Sequence, residues 1–246
     1  MRKKIIFYLV LFLVLSANIV KASSITVNDI LVSIEESNSK IADKTMVIIS
    51  TIQIPSGQGI FRTSKYTLKK PDKIKIETIS PTNQTIILNG KIMTIKLTSG
   101  RIITREIETS SDGMFFIKLG CTCCQPGLFS QYDAGINEKE TDEENQVYAI
   151  DFSTQATNSK VSRYTALTMY VDYKKKVIKS INFYNDKGEL TLSVRNEKFI
   201  FVDGIWLETV SKTIIYSPSE RIQIDTSYKN IKINRGISDD EFLLQK

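Results

Sequence analysis

The spacing of apolar residues predicts one helix near the start of the chain. Four apolar residues recur at positions i, i+3, i+4 and i+7, which places their side chains on one face of a helix: Val27, Ile30, Leu31 and Ile34. Thr26 and Asp29 have the spacing of a capping box, in which side-chain oxygens and backbone N–H groups pair at the start of a helix. We therefore expect a helix that begins after Thr26 and presents this apolar face to the rest of the protein.

Downstream of this helix the apolar period changes to two, which is the period of a strand with one buried face. Residues 73–77 and 221–225 alternate without a break. Asn89-Gly90 and Asp203-Gly204 separate further runs, and both dipeptides accept the positive φ angles of a type I′ hairpin turn. The pattern predicts about ten or eleven antiparallel strands in meander order, allowing one or two of the following spans to merge: 43–54, 59–69, 73–79, 84–88, 91–97, 101–107, 146–152, 162–171, 177–184, 189–201, 205–216 and 220–233.

Two segments fall outside this alternation. Residues 108–145 are mixed and polar, and they contain all three cysteines; a short helix is expected there, near Gly113–Leu119. Residues 238–242 have the composition of a capped single turn that holds Phe242 against the sheet.

An antiparallel sheet of this length has two faces, and one helix covers only part of one of them. Either the sheet curls and packs on itself, or it leaves a concave apolar surface beneath a small helical lid. The second arrangement provides a binding site.

The first 22 residues have the layout of an export signal. Arg2, Lys3 and Lys4 precede the uncharged apolar run Ile5–Leu15, and residues 20–22 (Val-Lys-Ala) form a cleavage site. We expect cleavage after Ala22, a single mature domain over residues 23–246, and a periplasmic location. The alternative is an uncleaved anchor, for which the apolar run is short, because a span needs about 20 residues.

Composition and charge exclude several classes of function. The formal charge is +6, but four basic residues would leave with the signal, so the mature chain is near neutral and no nucleic-acid partner is expected. The chain has no histidine, which removes Ser-His-Asp and Cys-His catalysis and His-ligated zinc. The acidic residues between Glu138 and Glu144 have no apolar neighbours and indicate an exposed loop. An enzyme would have to rely on carboxylates, tyrosine, lysine or cysteine. We expect that the protein is not an enzyme and binds no cofactor or metal.

The cysteines leave three alternatives open. Cys121 and Cys124 have C-x-x-C spacing, with Cys123 between them. An exported protein favours a local disulfide between Cys121 and Cys124. Redox activity or soft-metal binding is the second reading, and the third, which the odd count supports, is reduced or dimer-linking thiols.

Several segments resemble the periplasmic outer-membrane lipoprotein carriers, the LolA-like proteins. The similarity runs through most of the mature chain apart from about Glu108 to Lys160, and these segments carry it: residues 71–77, Pro81, residues 86–91, 181–188, 202–207 and 234–242.

The resemblance implies a mainly β fold, namely an open, unclosed antiparallel β-barrel of about eleven strands with an N-terminal helix as its lid. It also implies a carrier whose apolar cavity shields the acyl chains of lipoproteins or other lipids. Such a carrier collects cargo from an inner-membrane ABC-type transporter and delivers it to an outer-membrane acceptor, without covalent chemistry. We expect it to act as a monomer.

On this reading the lipid-binding residues are aliphatic, although the same residues also fit an ordinary core. The helix would contribute Ile30, Leu31 and Ile34, and the sheet Ile74, Ile76, Ile86, Leu88, Met93 and Ile95. Lys70 stands where the carriers have an arginine that contacts the lid. Lysine lacks the planar fork of donors, so a weaker or absent lid contact is expected.

Two other functions remain as alternatives. A periplasmic sensor or regulatory module of the same fold is the first, since a fold alone does not decide function. A Cys-dependent oxidoreductase is the second, although the cysteines lack the βαβ context of such enzymes.

Overall fold

A computed structural model describes residues 25–55, 57, 59–107, 132–154, 165–218 and 220–244. The predicted signal, the short helix expected near Gly113–Leu119, and Cys121, Cys123 and Cys124 lie outside these residues. Within the described residues, no helix has the length and apolar character needed to cross a bilayer.

The N-terminal helix, α1, spans Val27–Ser39 and begins with the predicted capping box. The Thr26 hydroxyl accepts a hydrogen bond from the Asp29 N–H at 3.2 Å, and the Asp29 carboxylate accepts one from the Thr26 N–H at 2.9 Å. Hydrogen bonds from the side chain and the backbone of Thr26 lower the pKa of Asp29. The apolar stripe therefore begins at a well-defined first turn, with its side chains directed towards the sheet.

Within the described ranges, thirteen strands form a single antiparallel sheet. Their bounds are β1 Asp43–Gln53, β2 Gly59–Lys69, β3 Lys73–Ser80, β4 Gln84–Asn89, β5 Ile92–Lys96, β6 Ile102–Glu106, β7 Tyr132–Ile136, β8 Val147–Thr154, β9 Ala166–Asp172, β10 Val177–Tyr184, β11 Leu190–Val202, β12 Ile205–Tyr216 and β13 Arg221–Ile233. The order is β6-β5-β4-β3-β2-β1-β13-β12-β11-β10-β9-β8-β7. The meander is thus joined through β1 and β13, and the sheet is open between β6 and β7.

The prediction of about eleven strands was too low, although the open antiparallel architecture is confirmed. Every predicted span forms a separate strand, and β7 is an additional one. Only the end residues of β7, Tyr132 and Ile136, are partly buried; the three residues between them are exposed. β7 belongs to the sheet because its backbone pairs with β8, and its alternation is weak because the middle residue of its inner face is Ala134.

Both predicted hairpins are present, although in the first of them Asn89 ends β4 and pairs with Ile92, so the turn residues are Gly90 and Lys91. Gly90 has φ +62°, and both Asp203 and Gly204 have positive φ, at 48° and 81°. Two successive positive φ angles are the requirement of a type I′ turn, so Asp203-Gly204 joins β11 directly to β12.

The chain ends in a 3-10 helix over Asp239–Phe242, which contacts β3 and β4. Phe242 is buried, as predicted. Asp239 accepts hydrogen bonds from the ammonium groups of Lys69 at 2.6 Å and Lys73 at 2.8 Å, which lower the pKa of its carboxyl to about 2. The turn is therefore attached by charge as well as by its phenylalanine.

Apolar side chains gather in two main clusters. The helix cluster joins Ile30 and Ile34 of α1 to apolar side chains of β8–β11. The sheet cluster joins apolar side chains of β1–β5 with Ile107 and Tyr228. Strand register places both clusters on the same face of the sheet, which we call the inner face.

Candidate functional site

The sheet residues predicted to bind lipid come together as cross-strand neighbours. One row consists of Ile76, Ile86 and Ile95, and the next consists of Ile74, Leu88 and Met93. All six belong to or pack against the sheet cluster, in which Ile86 and Ile95 are half-buried and the other four are buried. Register therefore assembles one continuous aliphatic surface from three hairpin-linked strands.

The helix residues lie elsewhere. Ile30 and Ile34 are buried in the helix cluster, and Leu31 packs against the same cluster. The helix thus covers the β7–β11 half of the inner face, while the predicted sheet residues lie in the other half. The structure does not bring the helix residues and the sheet residues into one cluster.

A cavity of about 100 Å³ lies between the two clusters, at the middle of the inner face. It touches Ile76 and Ile48 on the side of the sheet cluster and Val194 of the helix cluster. Ile76 is the only predicted lipid-binding residue that lines it. The cavity is thus a gap between two aliphatic surfaces.

The floor of this cavity carries a polar row that crosses five strands. Each member is the register partner of the next, in the order Arg62, Ser50, Thr226, Ser211 and Asn196. All five line the cavity. An adjacent row is aliphatic, with Ile52 opposite Ile224. The sequence prediction of a uniformly apolar concavity is therefore incomplete, because a polar row interrupts it.

Most polar groups of this row bond to one another or to their neighbours. The Ser50 and Thr226 hydroxyls lie 3.1 Å apart, and the Ser211 hydroxyl lies 3.1 Å from that of Tyr228. The Asn196 amide donates to the Ile178 carbonyl at 2.8 Å. Burial of these groups is therefore compensated by hydrogen bonds.

Arg62 differs from the other members of the row by its charge. It is the only charged side chain among the described residues that line the cavity. Its Nη2 donates to the Thr78 hydroxyl at 2.9 Å, and the Ser64 hydroxyl donates to the same oxygen at 3.2 Å. Arg62 is half-buried, so its charge is only partly exposed to water.

Lys70 contacts the helix. Its ammonium group donates a hydrogen bond to the backbone carbonyl of Asn38, in the last turn of α1. A cation is favourable there because the carbonyl end of a helix carries partial negative charge. The contact links the β2–β3 turn to the end of α1; its role as a latch remains a prediction.

A smaller cavity of about 30 Å³ lies beneath the end of α1, where Asn38 and Ile41 approach β11 and β12. It contains an ion pair between Lys44 and Glu208, with 3.8 Å between Nζ and Oε1. Lys44 is only 1% exposed. The pair joins β1 to β12 beneath the end of α1, and removing one member would leave the other as a buried charge without its partner.

Across the described ranges, no group of three or more histidine, cysteine or acidic residues is arranged to hold a metal ion. The cysteines lie outside those ranges, so their predicted disulfide is not part of the site described here.

Solved structures share this architecture. A DUF1329 family protein from Desulfovibrio piger matches with a TM-score of 0.68 at 18% identity, over 87% of this chain and 95% of that one. A LolA superfamily protein from Nitrosomonas europaea matches with a TM-score of 0.65 at 14% identity, over 90% and 99%. The chain has a LolA-like fold. A putative outer-membrane lipoprotein-sorting protein domain from Vibrio parahaemolyticus also matches, with a TM-score of 0.63 at 14% identity, over 86% and 95%.

No protein-family model and no curated protein matches the chain. Identities of 14–18% establish the LolA-like fold alone. The predicted resemblance is confirmed at the level of fold.

Proposed function

We propose that the protein is a periplasmic carrier that shields the acyl chains of lipoproteins or other lipids during transfer towards the outer membrane. The observation that carries the proposal is the inner face of the open sheet, where a cavity separates two aliphatic clusters and a helix covers only one of them. The LolA-like fold and the export signal predicted from the sequence support the same role.

The energetics of acyl burial fit a carrier without catalytic groups. Removing one methylene from water is worth about 0.8 kcal/mol, so a sixteen-carbon chain gains on the order of 12 kcal/mol before ordering costs. The aliphatic rows of β3, β4 and β5 supply such a surface. Ile86 and Ile95, which are half-buried, are the members with area left to cover.

The cavity is too small for a whole acyl chain. An engineered cavity of roughly 150 Å³ takes one benzene molecule, and this cavity measures about 100 Å³. Loading therefore needs the inner face to widen. The opening between β6 and β7 favours widening, because no ladder hydrogen bonds join these two strands in the part of the chain that the structure describes.

The resemblance to lipoprotein carriers supplies the partners of the proposal. An inner-membrane ABC-type transporter would load the protein, and an outer-membrane acceptor would unload it. The mature protein, from residue 23 onward, would act as a single domain and as a monomer.

Two neighbouring substitutions on β12 test the proposal. Thr213 lines the cavity, whereas the adjacent Lys212 pairs with Asp225 on the opposite face. Thr213→Trp fills the cavity and is expected to weaken binding of monopalmitoylglycerol at least tenfold, while Lys212→Trp leaves it within about twofold. Isothermal titration calorimetry measures both, and circular dichroism verifies folding.

Native mass spectrometry supplies a second readout. Protein purified from the cell envelope is expected to retain acylated cargo, and Thr213→Trp to lose it. Protein that is empty in every preparation, and that binds no acyl lipid in the calorimeter, would contradict the carrier function. Co-purification with an inner-membrane signalling protein in place of a transporter would favour the sensor alternative.

A further inference from the structure

We infer that the polar row binds the oxyanion headgroup of an acyl amphiphile, with Arg62 as the residue that recognises its charge. The inference rests on the proposed function and specifies the cargo: the ligand carries a carboxylate or phosphate at the head of an acyl chain. A uniformly apolar cavity would not distinguish an anionic headgroup from a neutral one.

Arg62 has free capacity for an anion. A guanidinium group has five N–H donors in a planar fork that suits carboxylate and phosphate oxygens. One of them is bonded to Thr78, and no ion pair of Arg62 is present among the described residues. A half-buried guanidinium that pairs only with a neutral hydroxyl leaves most of its donors open to a ligand.

The acidic residue at this end of β13 does not compete for that position. Asp225 pairs in register with Thr51 and Lys212, one position out of phase with Ser50 and Thr226, and so lies on the opposite face of the sheet. There its carboxylate accepts hydrogen bonds from Gln53 at 3.2 Å and Gln223 at 2.8 Å. The charge presented to the cavity is therefore positive.

The hydroxyls beside Arg62 complete an oxyanion site. Ser50 is its register partner, and Thr226 follows on the next strand, with the two hydroxyls 3.1 Å apart. One of these two hydroxyls donates to the other, so the accepting hydroxyl keeps its own proton for a ligand, and it rotates to suit that ligand. An anion held by Arg62 would thus meet a neutral donor on its other side.

The size of the cavity agrees with a headgroup and not with a tail. Its volume of about 100 Å³ is below that of the cavity that accepts benzene, whereas a carboxylate or phosphate is smaller. Ile76 lines the cavity and continues through its register partner Ile86 to Ile95. A headgroup at Arg62 therefore places its acyl chain along the aliphatic row.

The test compares lipids that share one acyl chain and differ in the charge of the head. Palmitate and palmitoyl lysophosphatidate are anionic, and monopalmitoylglycerol is neutral. Each is titrated into purified protein by calorimetry at pH 8, below its critical micelle concentration, with free acetate and phosphate as chainless probes. We expect both anionic lipids to bind at least tenfold more tightly than the neutral lipid, and the chainless anions to bind at least a hundredfold more weakly than either.

The variants assign the preference to one side chain. Arg62→Gln is expected to reduce this preference to threefold or less, mainly by weakening the binding of the two anionic lipids, and circular dichroism verifies that the variant is folded. Arg195→Gln is the matched control, because Arg195 is exposed on β11 between Val194 and Asn196, on the opposite face. It is expected to retain the full preference. Arg62→Lys keeps the positive charge but loses the planar fork of donors, so this variant is expected to retain part of the preference for anionic lipids.

The possible failures are distinguishable. Equal affinities for neutral and anionic lipids in the unmodified protein overturn the headgroup site and leave the carrier function standing. If Arg62→Gln and Arg195→Gln reduce the preference for anionic lipids equally, the headgroup site is also overturned, because the preference would then follow the net charge of the protein. Chainless anions that bind as tightly as the lipids would indicate an anion site unrelated to acyl cargo. If none of the three lipids binds, the carrier proposal fails and the headgroup site fails with it.

Discussion

At the residue scale, the carboxylate of Asp43 connects the start of β1 to the segment that follows β13. It is 5% exposed at the start of β1. Its carboxylate accepts hydrogen bonds from the N–H groups of Arg235 and Gly236, both at 2.8 Å, and from that of Ile237 at 3.4 Å. Burial by itself would raise the pKa of Asp43, but these donors, together with the charge of Lys69, hold the pKa below its ordinary value of 3.8.

Replacing this carboxylate should destabilise the fold in a pH-dependent way. Asp43→Ala leaves three backbone N–H groups unpaired and is expected to lower the free energy of unfolding by about 2–4 kcal/mol at pH 7. The contribution of a carboxyl with a lowered folded-state pKa is complete above its unfolded-state pKa and is lost as pH falls through the folded-state value. The difference between the variant and the unmodified protein should therefore narrow below about pH 4.

Urea unfolding at a series of pH values measures this effect. Asp186→Ala, in the exposed turn between β10 and β11, is the control and should change stability by less than about 0.5 kcal/mol. A destabilisation by Asp43→Ala that stays constant down to pH 2 would show that the carboxylate charge is not what the N–H groups require.

At the element scale, helix α1 and most strands follow from local patterns, and the exceptions have physical reasons. The capping box at Thr26 and the apolar stripe define α1, and alternation defines twelve of the strands. β7 was not predicted because it is only five residues long and its middle inward position is Ala134, whose small side chain gives a weak apolar signal. Which half of the sheet α1 covers is decided by tertiary packing, and the apolar pattern of the sequence does not predict it.

The polar row was missed for a related reason. Ser50 is in phase with Met46 and Ile48 on β1, so its inward direction was predictable. That Ser50 lies beside Thr226 was not predictable, because this contact depends on pairing between the first strand and the last. Residues from five strands meet there, and single-strand periodicity gives no register between strands.

The contact between Lys70 and α1 leads to a prediction about the mobility of the helix end. Lys70→Met removes a charged donor from the Asn38 carbonyl, a contact worth about 1 kcal/mol, so amide hydrogen exchange in the last turn of α1 should accelerate about fivefold. Exchange in the first turn should not change, since the Thr26 capping box holds it. Lys40→Met is the control, because Lys40 is exposed and its ammonium group makes no bond or ion pair with the described residues. Equal acceleration in both variants would contradict a specific contact by Lys70.

At the scale of the whole molecule, the two halves of the inner face differ in how they are covered. One half is closed by α1 and includes fully buried side chains such as Ile30, Met169 and Ile150. The other half ends at the β6 edge, where all five residues are exposed, and it keeps half-buried aliphatic residues. Both halves contain buried residues, and the second keeps half-buried area at Ile86 and Ile95, which the proposed carrier function would use.

This division predicts opposite effects for two truncations. Ile30→Ala opens a gap in the helix cluster and should lower the free energy of unfolding by about 2–5 kcal/mol, while the affinity for monopalmitoylglycerol stays within about twofold. Ile95→Ala removes half-buried surface from the sheet cluster. It should cost less stability but weaken lipid binding about fivefold, since roughly 1 kcal/mol of contact with the acyl chain is lost. Urea unfolding and calorimetry on the same preparations separate the two effects. If Ile30→Ala loses affinity and Ile95→Ala does not, the acyl chain lies beneath α1, and loading would require the helix to leave the sheet.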